Sequence, residues 1–95
     1  MTLRDKLWEL IAALVNNRCG IQEFCDDFGR IYNLEIDYSI LSNTENDQFS
    51  DLCDMADRFS DDEEDLALPN IYFSEKQIRD RAQEIYQRIK GGAKD

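Results

Sequence analysis

Apolar residues recur every three or four positions in the first third of the chain, which is the spacing of one buried face of an α-helix. Residues 3–17 form the first such segment, and Thr2 with Asp5 has the pattern of a capping box at its start. Residues 20–32 continue with the same spacing. Because the connection between the two segments is so short, the sequence predicts an antiparallel pair of helices.

Two further helices are predicted in the second half of the chain. Thr44 and Asp47 are expected to cap the third helix, which should end near Ser60. Ser74 and Gln77 can form a capping box for the fourth helix, and the double glycine near the end of the chain should terminate it.

Between the second and third helices the apolar period changes to two. Leu34, Ile36, Tyr38 and Ile40 alternate with polar residues, as they would in a strand. The sequence contains no second alternating run that could pair with this one. Residues 33–42 are therefore predicted to be an extended connection whose apolar side chains cover the helices.

These elements predict an all-α fold, namely an antiparallel four-helix bundle with an extended connection between helices 2 and 3. Residues 1–95 are expected to form a single domain, with residues 92–95 as a loose tail. The predicted core contains Trp8, Phe24, Phe28, Phe49, Phe59 and Ile85.

The charge of the chain is strongly negative and unevenly distributed. The formal net charge is −10. Residues 41–70 carry ten acidic residues and one basic residue, a net charge of −9. Such a surface repels nucleic acid and anionic membranes and attracts cationic proteins. The sequence therefore predicts a basic protein as partner, with no direct contact to nucleic acid or membrane.

The cysteines favour a reducing compartment. Cys25 and Cys53 lie on apolar helical faces, and with Cys19 they make an odd number, so free thiols are expected. The chain start lacks the pattern of a secretory signal, and no apolar run is long enough to span a membrane. We expect the protein to stay in the cytoplasm.

The inventory of reactive residues argues against an enzyme and against a cofactor or metal. Histidine, the commonest general base and metal ligand, is absent. A calcium loop counted from Asp61 would place Leu66 where glycine is needed and Tyr72 where glutamate is needed. The serine context of an acyl carrier protein is missing too, since Ser50 precedes Asp51 instead of following it.

The acidic residues of the third helix form a predicted ridge. Asp47, Asp51 and Asp54 repeat at helical spacing opposite the apolar face, and an acidic run follows at residues 61–65. Like charges at this spacing are unfavourable by roughly 0.2 to 0.5 kcal/mol per pair, and each acid at a helix C-terminus is unfavourable by about 0.3 to 1 kcal/mol. Unfavourable charges that cluster in one place favour a functional reading over a merely solvated face. Because i, i+4 carboxylates are about 5 to 6 Å apart, the ridge could replace a phosphate backbone in a basic cleft.

The chain resembles the immunity proteins of the colicin D type, small helical bacterial proteins that protect a producing cell from its own nuclease toxin. The likeness extends from about Leu7 to Ile89. It rests on three motifs, which are Gly20-Ile21-Gln22-Glu23-Phe24, Arg30-Ile31-Tyr32, and Met55-Ala56-Asp57-Arg58-Phe59 followed directly by acids.

The resemblance implies a 1:1 complex in which carboxylates fill the active site of a tRNA-cleaving toxin domain. In that family the contacts come from acids at and beyond the end of the third helix, which match Asp57 and Asp62 here. Ser60 stands where the family has an acid. The partner-binding residues predicted from the ridge and the resemblance together are Asp54, Asp57, Asp61, Asp62, Glu63, Glu64 and Asp65.

Other interpretations remain open at the level of sequence. The toxin could belong to a contact-dependent growth inhibition system instead of a colicin. The immunity family of the DNase colicins is similar in size and charge, but its Tyr-Tyr-Pro element is absent here. From other functional classes, the alternatives are an acidic adaptor or nucleic-acid mimic that regulates another basic protein, and a carrier or small enzyme.

Overall fold

The computed structural model describes residues 2–68 and 71–91, and this part of the chain is all-helical, as predicted. The α-helices are α1 (Leu3–Val15), α2 (Ile21–Arg30), α3 (Asn43–Asp57), α4 (Glu63–Leu66) and α5 (Glu75–Tyr86). Shorter π- and 3-10-helical pieces cover Ile31–Glu35, Tyr38–Ile40 and Gln87–Gly91. The predicted tail at residues 92–95 lies outside the described residues.

The core lies between the four longer helices. Helix α1 packs against α2 and α5, and α3 packs against the same two helices. Five of the six predicted core residues, Trp8, Phe24, Phe28, Phe49 and Ile85, are buried. Phe59 is only partly buried, because α3 ends before it and Phe59 lies in the following loop.

The helix starts follow from local capping. The Thr2–Asp5 and Ser74–Gln77 capping boxes are both present, as predicted. The predicted start of the third helix is wrong, since the capping box there is formed by Ser42 with Glu45. The Glu45 carboxylate of this box also pairs with Arg4 of α1, a contact that is not visible in the local sequence.

The prediction of an extended connection at residues 33–42 is wrong. Helix α2 runs on into the π-helix Ile31–Glu35, where the Ile36 N–H donates to the Ile31 carbonyl at 2.9 Å. The 3-10 turn Tyr38–Ile40 follows. These local hydrogen bonds satisfy the backbone without a partner strand. Ile36 packs on the core, but Leu34 is 80% exposed, so the segment only partly covers the helices.

Backbone hydrogen bonds join the two ends of the acidic stretch that follows α3. Helix α3 ends at Asp57 and not near Ser60. The Phe73 N–H donates to the Arg58 carbonyl at 2.9 Å, and the Ser60 N–H donates to the Phe73 carbonyl at 3.0 Å. This isolated bridge holds the two ends of the loop together. Between them, Glu63–Leu66 form the short helix α4.

Within the described residues, no helix has the length and apolar character needed to cross a membrane.

Candidate functional site

The first group of predicted site residues lines a small cleft beside α3. Asp54 and Asp57 lie on the last turn of α3 and face Tyr32 and Asn33 of the π-helix. The cleft has a volume of about 190 Å³, and we call it the Asp57 cleft. Its lining consists of Tyr32, Asn33, Ser50, Cys53, Asp54 and Asp57. Its hydroxyl, amide and carboxylate groups can accept hydrogen bonds from a basic side chain of a partner.

Aromatic side chains fix the wall of the Asp57 cleft. The Tyr38 hydroxyl donates to the Tyr32 carbonyl at 2.8 Å, and the two rings lie 5.1 Å apart between centroids. The Tyr32 hydroxyl in turn donates to the Asn46 side chain on α3. The π-helix is therefore attached to α3 at the cleft, and the positions of both tyrosine rings are set before any partner binds.

The second group lies on what we call the acidic loop, residues 60–66. Asp62 caps α4 and accepts a hydrogen bond from the Glu64 N–H at 2.9 Å. The Ser60 hydroxyl accepts from the Asp62 N–H and donates to the Asp65 carboxylate at 2.9 Å. Ser60, which stands in place of an expected acid, thus holds the loop in a defined shape. The side chains of Asp61, Asp62, Glu63 and Glu64 are exposed, and that of Asp65 is partly buried.

The acidic loop also borders a groove that faces the start of α5. The groove has a volume of about 510 Å³, with Phe59 and Leu66 as its apolar part and Asp61 on one wall. The opposite wall contains Lys76 and Arg79, which are paired with carboxylates of their own helix. Asp61 is therefore the predicted site residue that reaches this groove.

Ion pairs and the position of α4 reduce the charge repulsion that the sequence predicts for the third helix and the acidic run. On α3, Asp51 pairs with Arg81 of α5 at 2.6 Å, and Asp54 pairs with Arg58 at 3.4 Å. In the acidic loop, residues 63–65 occupy the first turn of α4, where the helix dipole favours carboxylates instead of opposing them. The expectation that the whole run opposes the dipole of the third helix is therefore wrong.

The structure contains an ionic site that the sequence interpretation missed. Glu45 is buried and accepts hydrogen bonds from the Arg4 guanidinium at 2.9 Å and from Trp8 Nε1 at 2.6 Å. Burial by itself would raise the pKa of Glu45, but these bonds and one from the Ser42 N–H lower the pKa to about 2. The Ser-x-x-Glu spacing of a capping box was the available signal. The site joins α3 to α1 and has a structural role.

The cysteines are free, as predicted, and two of them are buried. Burial raises the pKa of the Cys25 thiol to about 12 and that of Cys53 to about 11, with a further contribution from the Asp57 charge. Thiols with such pKa values are poor nucleophiles and poor metal ligands at neutral pH. Among residues 2–68 and 71–91, no group of three or more potential ligands could hold a metal ion.

The geometry therefore brings Asp54 and Asp57 together in one cleft and places Asp61, Asp62, Glu63, Glu64 and Asp65 on the loop that follows. A comparison with known proteins gives the context for this arrangement. No curated protein and no solved structure matches the chain. Residues 1–89 do match a protein family described as bacterial self-protective colicin-like immunity. Since the match covers nearly the whole chain, the protein belongs to the colicin-like immunity family.

Proposed function

We propose that this chain is a cytoplasmic immunity protein that binds a cognate tRNA-cleaving toxin and blocks its active site. In this proposal the carboxylates of the Asp57 cleft and the acidic loop take the place of the RNA backbone. The observation that carries it is the concentration of charge on an ordered segment. Residues 54–65 hold seven carboxylates, with Arg58 as the single basic residue.

The order of the segment is important for affinity. Flexible acidic tails lose conformational entropy when they bind, and this loss reduces affinity. Here the bridge between Phe59 and Phe73, the Asp62 cap and the Ser60 hydroxyl fix much of the acidic loop in the free protein. A basic cleft that binds a phosphate backbone would therefore meet carboxylates already held in place, which supports tight inhibition.

The proposal also includes the class of partner, the arrangement of the helices and the origin of the toxin. A net charge of −10 opposes direct binding to nucleic acid or to an anionic membrane. The four longer helices would act as an antiparallel four-helix bundle that presents the acids on one side, and one chain would bind one toxin domain. The toxin would be either a colicin or the end of a contact-dependent inhibition protein. An acidic adaptor for another basic protein is the alternative.

The test uses variants that remove charge without removing structure. Asp62→Asn keeps an N-cap acceptor for α4, and Asp57→Asn keeps the size of the side chain. Each variant is expressed with the toxin encoded by the adjacent open reading frame, and cell survival is measured. Binding to the catalytically inactive toxin domain is measured in parallel. A charge buried against a catalytic cation should cost about 2 to 5 kcal/mol when it is removed, mainly through faster release.

Glu9→Gln provides the matched control, because Glu9 is exposed on α1, outside the predicted site. It removes one negative charge, as each of the other two variants does, and should leave survival and the release rate unchanged. If Asp57→Asn and Asp62→Asn both bind and protect like the parent, carboxylates do not fill the active site and the proposal is wrong. If the toxin domain does not bind but a different basic protein is captured in equimolar amounts, the adaptor alternative is supported instead.

A further inference from the structure

Exposed apolar side chains are concentrated in the segment that follows the cleft residues Tyr32 and Asn33. Among the described residues, five large apolar side chains are exposed, and Leu34, Tyr38 and Ile40 belong to one short segment. We call these three residues the apolar trio. Leu34 is the most exposed of the five, at 80%. Single exposed apolar residues are common on protein surfaces and need no explanation, but three within one short segment that directly follows the cleft residues favour an interaction surface.

The backbone places this segment in an unusual conformation. Leu34 lies in the π-helix Ile31–Glu35, which continues α2 by a wider turn. Such π-helical turns are rare and are frequently found at functional sites. The same turn supplies Tyr32 and Asn33 to the Asp57 cleft, so the cleft wall and the exposed Leu34 arise from one structural element.

Tyr38 has the features of an interface anchor. Its ring is 46% exposed, while its hydroxyl already donates to the Tyr32 carbonyl and its ring lies against Tyr32. An aromatic side chain that is held in place loses little conformational entropy on binding, and tyrosine is enriched among residues that dominate binding energy. Tyr38 therefore presents a fixed apolar surface next to Tyr32, which lines the Asp57 cleft.

We infer that the apolar trio is the hydrophobic part of the toxin-binding surface, where it packs against an apolar patch bordering the basic cleft of the toxin. This inference rests on the proposed function. Charge complementarity selects this partner over a second copy of the chain. Self-association through the trio would bring together two chains that each carry a net charge of −10, and these repel each other. A cationic protein surface has the opposite effect and favours contact.

The two parts of the surface should make different contributions. The acids at residues 61 and 63–65 should set the association rate and its salt dependence. The apolar trio should slow dissociation and give binding a negative heat-capacity change, which is the mark of apolar burial. Together they form an interface with an apolar centre and a charged border, as is common in protein complexes.

The test is the double variant Leu34→Ser with Ile40→Ser, bound to the catalytically inactive toxin domain from the adjacent open reading frame. We expect dissociation about tenfold faster or more, a smaller heat-capacity change, and an unchanged slope of affinity against salt. The melting temperature should fall by no more than a few degrees, because Leu34 is 80% exposed and Ile40 is 44% exposed. Gln83→Ala, on the exposed side of α5, is the control and should change none of these quantities.

The outcomes separate this inference from the proposed function. If Asp57→Asn weakens binding and the double variant binds within twofold of the parent, the trio lies outside the interface and only this inference fails. If neither change affects binding, both are overturned. Sedimentation of the free chain tests whether a second copy of the chain is the occupant. A dimer that the double variant dissociates would show that a second copy covers the trio, and this inference would be overturned.

Discussion

Asp57 lies against the backbone of α2 at Gly29. One carboxylate oxygen of Asp57 is 3.3 Å from the position that a Cβ atom would take on Gly29. Gly29 is buried, and its backbone is not in the left-handed region, so an L-residue can adopt the same conformation. A glycine within a helix costs about 1 kcal/mol relative to alanine. We interpret Gly29 as the residue that leaves room for the Asp57 carboxylate at the cleft.

Gly29→Ala should therefore affect stability and binding in opposite directions. The added methyl group should displace the exposed Asp57 side chain by a few tenths of an ångström, while the better helix propensity raises the free energy of unfolding by up to about 1 kcal/mol. Release of the toxin domain should become faster. The two quantities are measured by chemical denaturation and by surface plasmon resonance.

Gly20→Ala is the matched control for this prediction. Gly20 precedes α2, and no atom lies within 4 Å of a Cβ built there. This change should leave the release rate unaltered. A Gly29→Ala protein that is less stable but binds normally would mean that Gly29 serves the packing of α2 against α3, and not the placement of the carboxylate.

The second prediction concerns Glu45 and acid stability. Its pKa is lowered to about 2 from an ordinary value of 4.5. The unfolded chain therefore binds more protons than the folded protein between about pH 5 and pH 2, and stability is lost as the pH falls through this window. Glu45→Gln should lower the free energy of unfolding at pH 7 by about 3 kcal/mol. It should also make the fall between about pH 5 and pH 2 less steep.

Urea denaturation at several pH values measures both effects. Glu9→Gln serves again as the control, because Glu9 is exposed and its replacement should change stability by less than about 0.5 kcal/mol. Equal pH profiles for the parent and Glu45→Gln would show that the buried carboxylate does not pair with Arg4 and Trp8 as described.

The third prediction concerns the thiols. With a pKa of about 12, roughly one in ten thousand Cys25 side chains is a thiolate at pH 8, and Cys53 is also buried. Cys19 is only partly buried. A thiol reagent such as DTNB should modify one cysteine in the native protein and all three in guanidinium chloride. Cys19→Ser should abolish the native reaction. Rapid modification of Cys53 instead would show that the Asp57 cleft opens to solvent more than its geometry indicates.

The apolar spacing of the chain was sufficient to predict the all-helical class, two of the capping boxes and most of the core. Each of these features depends on residues that lie within about one helical turn of one another in the sequence. The predicted start of α3 was wrong although Ser42 and Glu45 also have capping-box spacing, and the pairing of Glu45 with Arg4 is remote in sequence. The alternation at residues 33–42 was misleading because apolar side chains can alternate without forming a strand, and Leu34 is exposed.

The sequence predicted which acidic residues belong to the candidate site, but it did not predict how they are arranged in space. The concentration of acids in the middle of the chain is evident from the sequence. The pairing of Asp51 with Arg81 and the close approach of Asp57 to Gly29 are tertiary contacts, which no local pattern reports. The short helix α4 depends on Asp62 as its cap and on the bridge between Phe59 and Phe73, which closes the loop from a distance.

The last prediction concerns the role of the acidic loop in the speed of binding. The variant carries Asp61→Asn, Glu63→Gln, Glu64→Gln and Asp65→Asn, which changes the net charge from −10 to −6. Asp62 is kept because it caps α4, and asparagine at position 65 can still accept the hydrogen bond from Ser60. Association with the toxin domain at low salt should slow by about tenfold, and its dependence on salt should become weaker. The release rate should change little, because we expect these four acids to lie at the border of the interface and not against a catalytic cation.

The melting temperature is the control that shows whether this variant keeps its fold when the charges are removed. The sequence predicts relief from repulsion and hence a protein as stable as before or slightly more so. In the structure residues 63–65 lie in the first turn of α4, where their charges are favourable, so the neutral variant loses that contribution while repulsion also falls. The two effects oppose each other, and the melting temperature should shift by no more than a few degrees. Unchanged association kinetics at low salt, in a variant that still protects cells, would show that the acidic loop is only a solvated turn and that its charges do not guide the toxin.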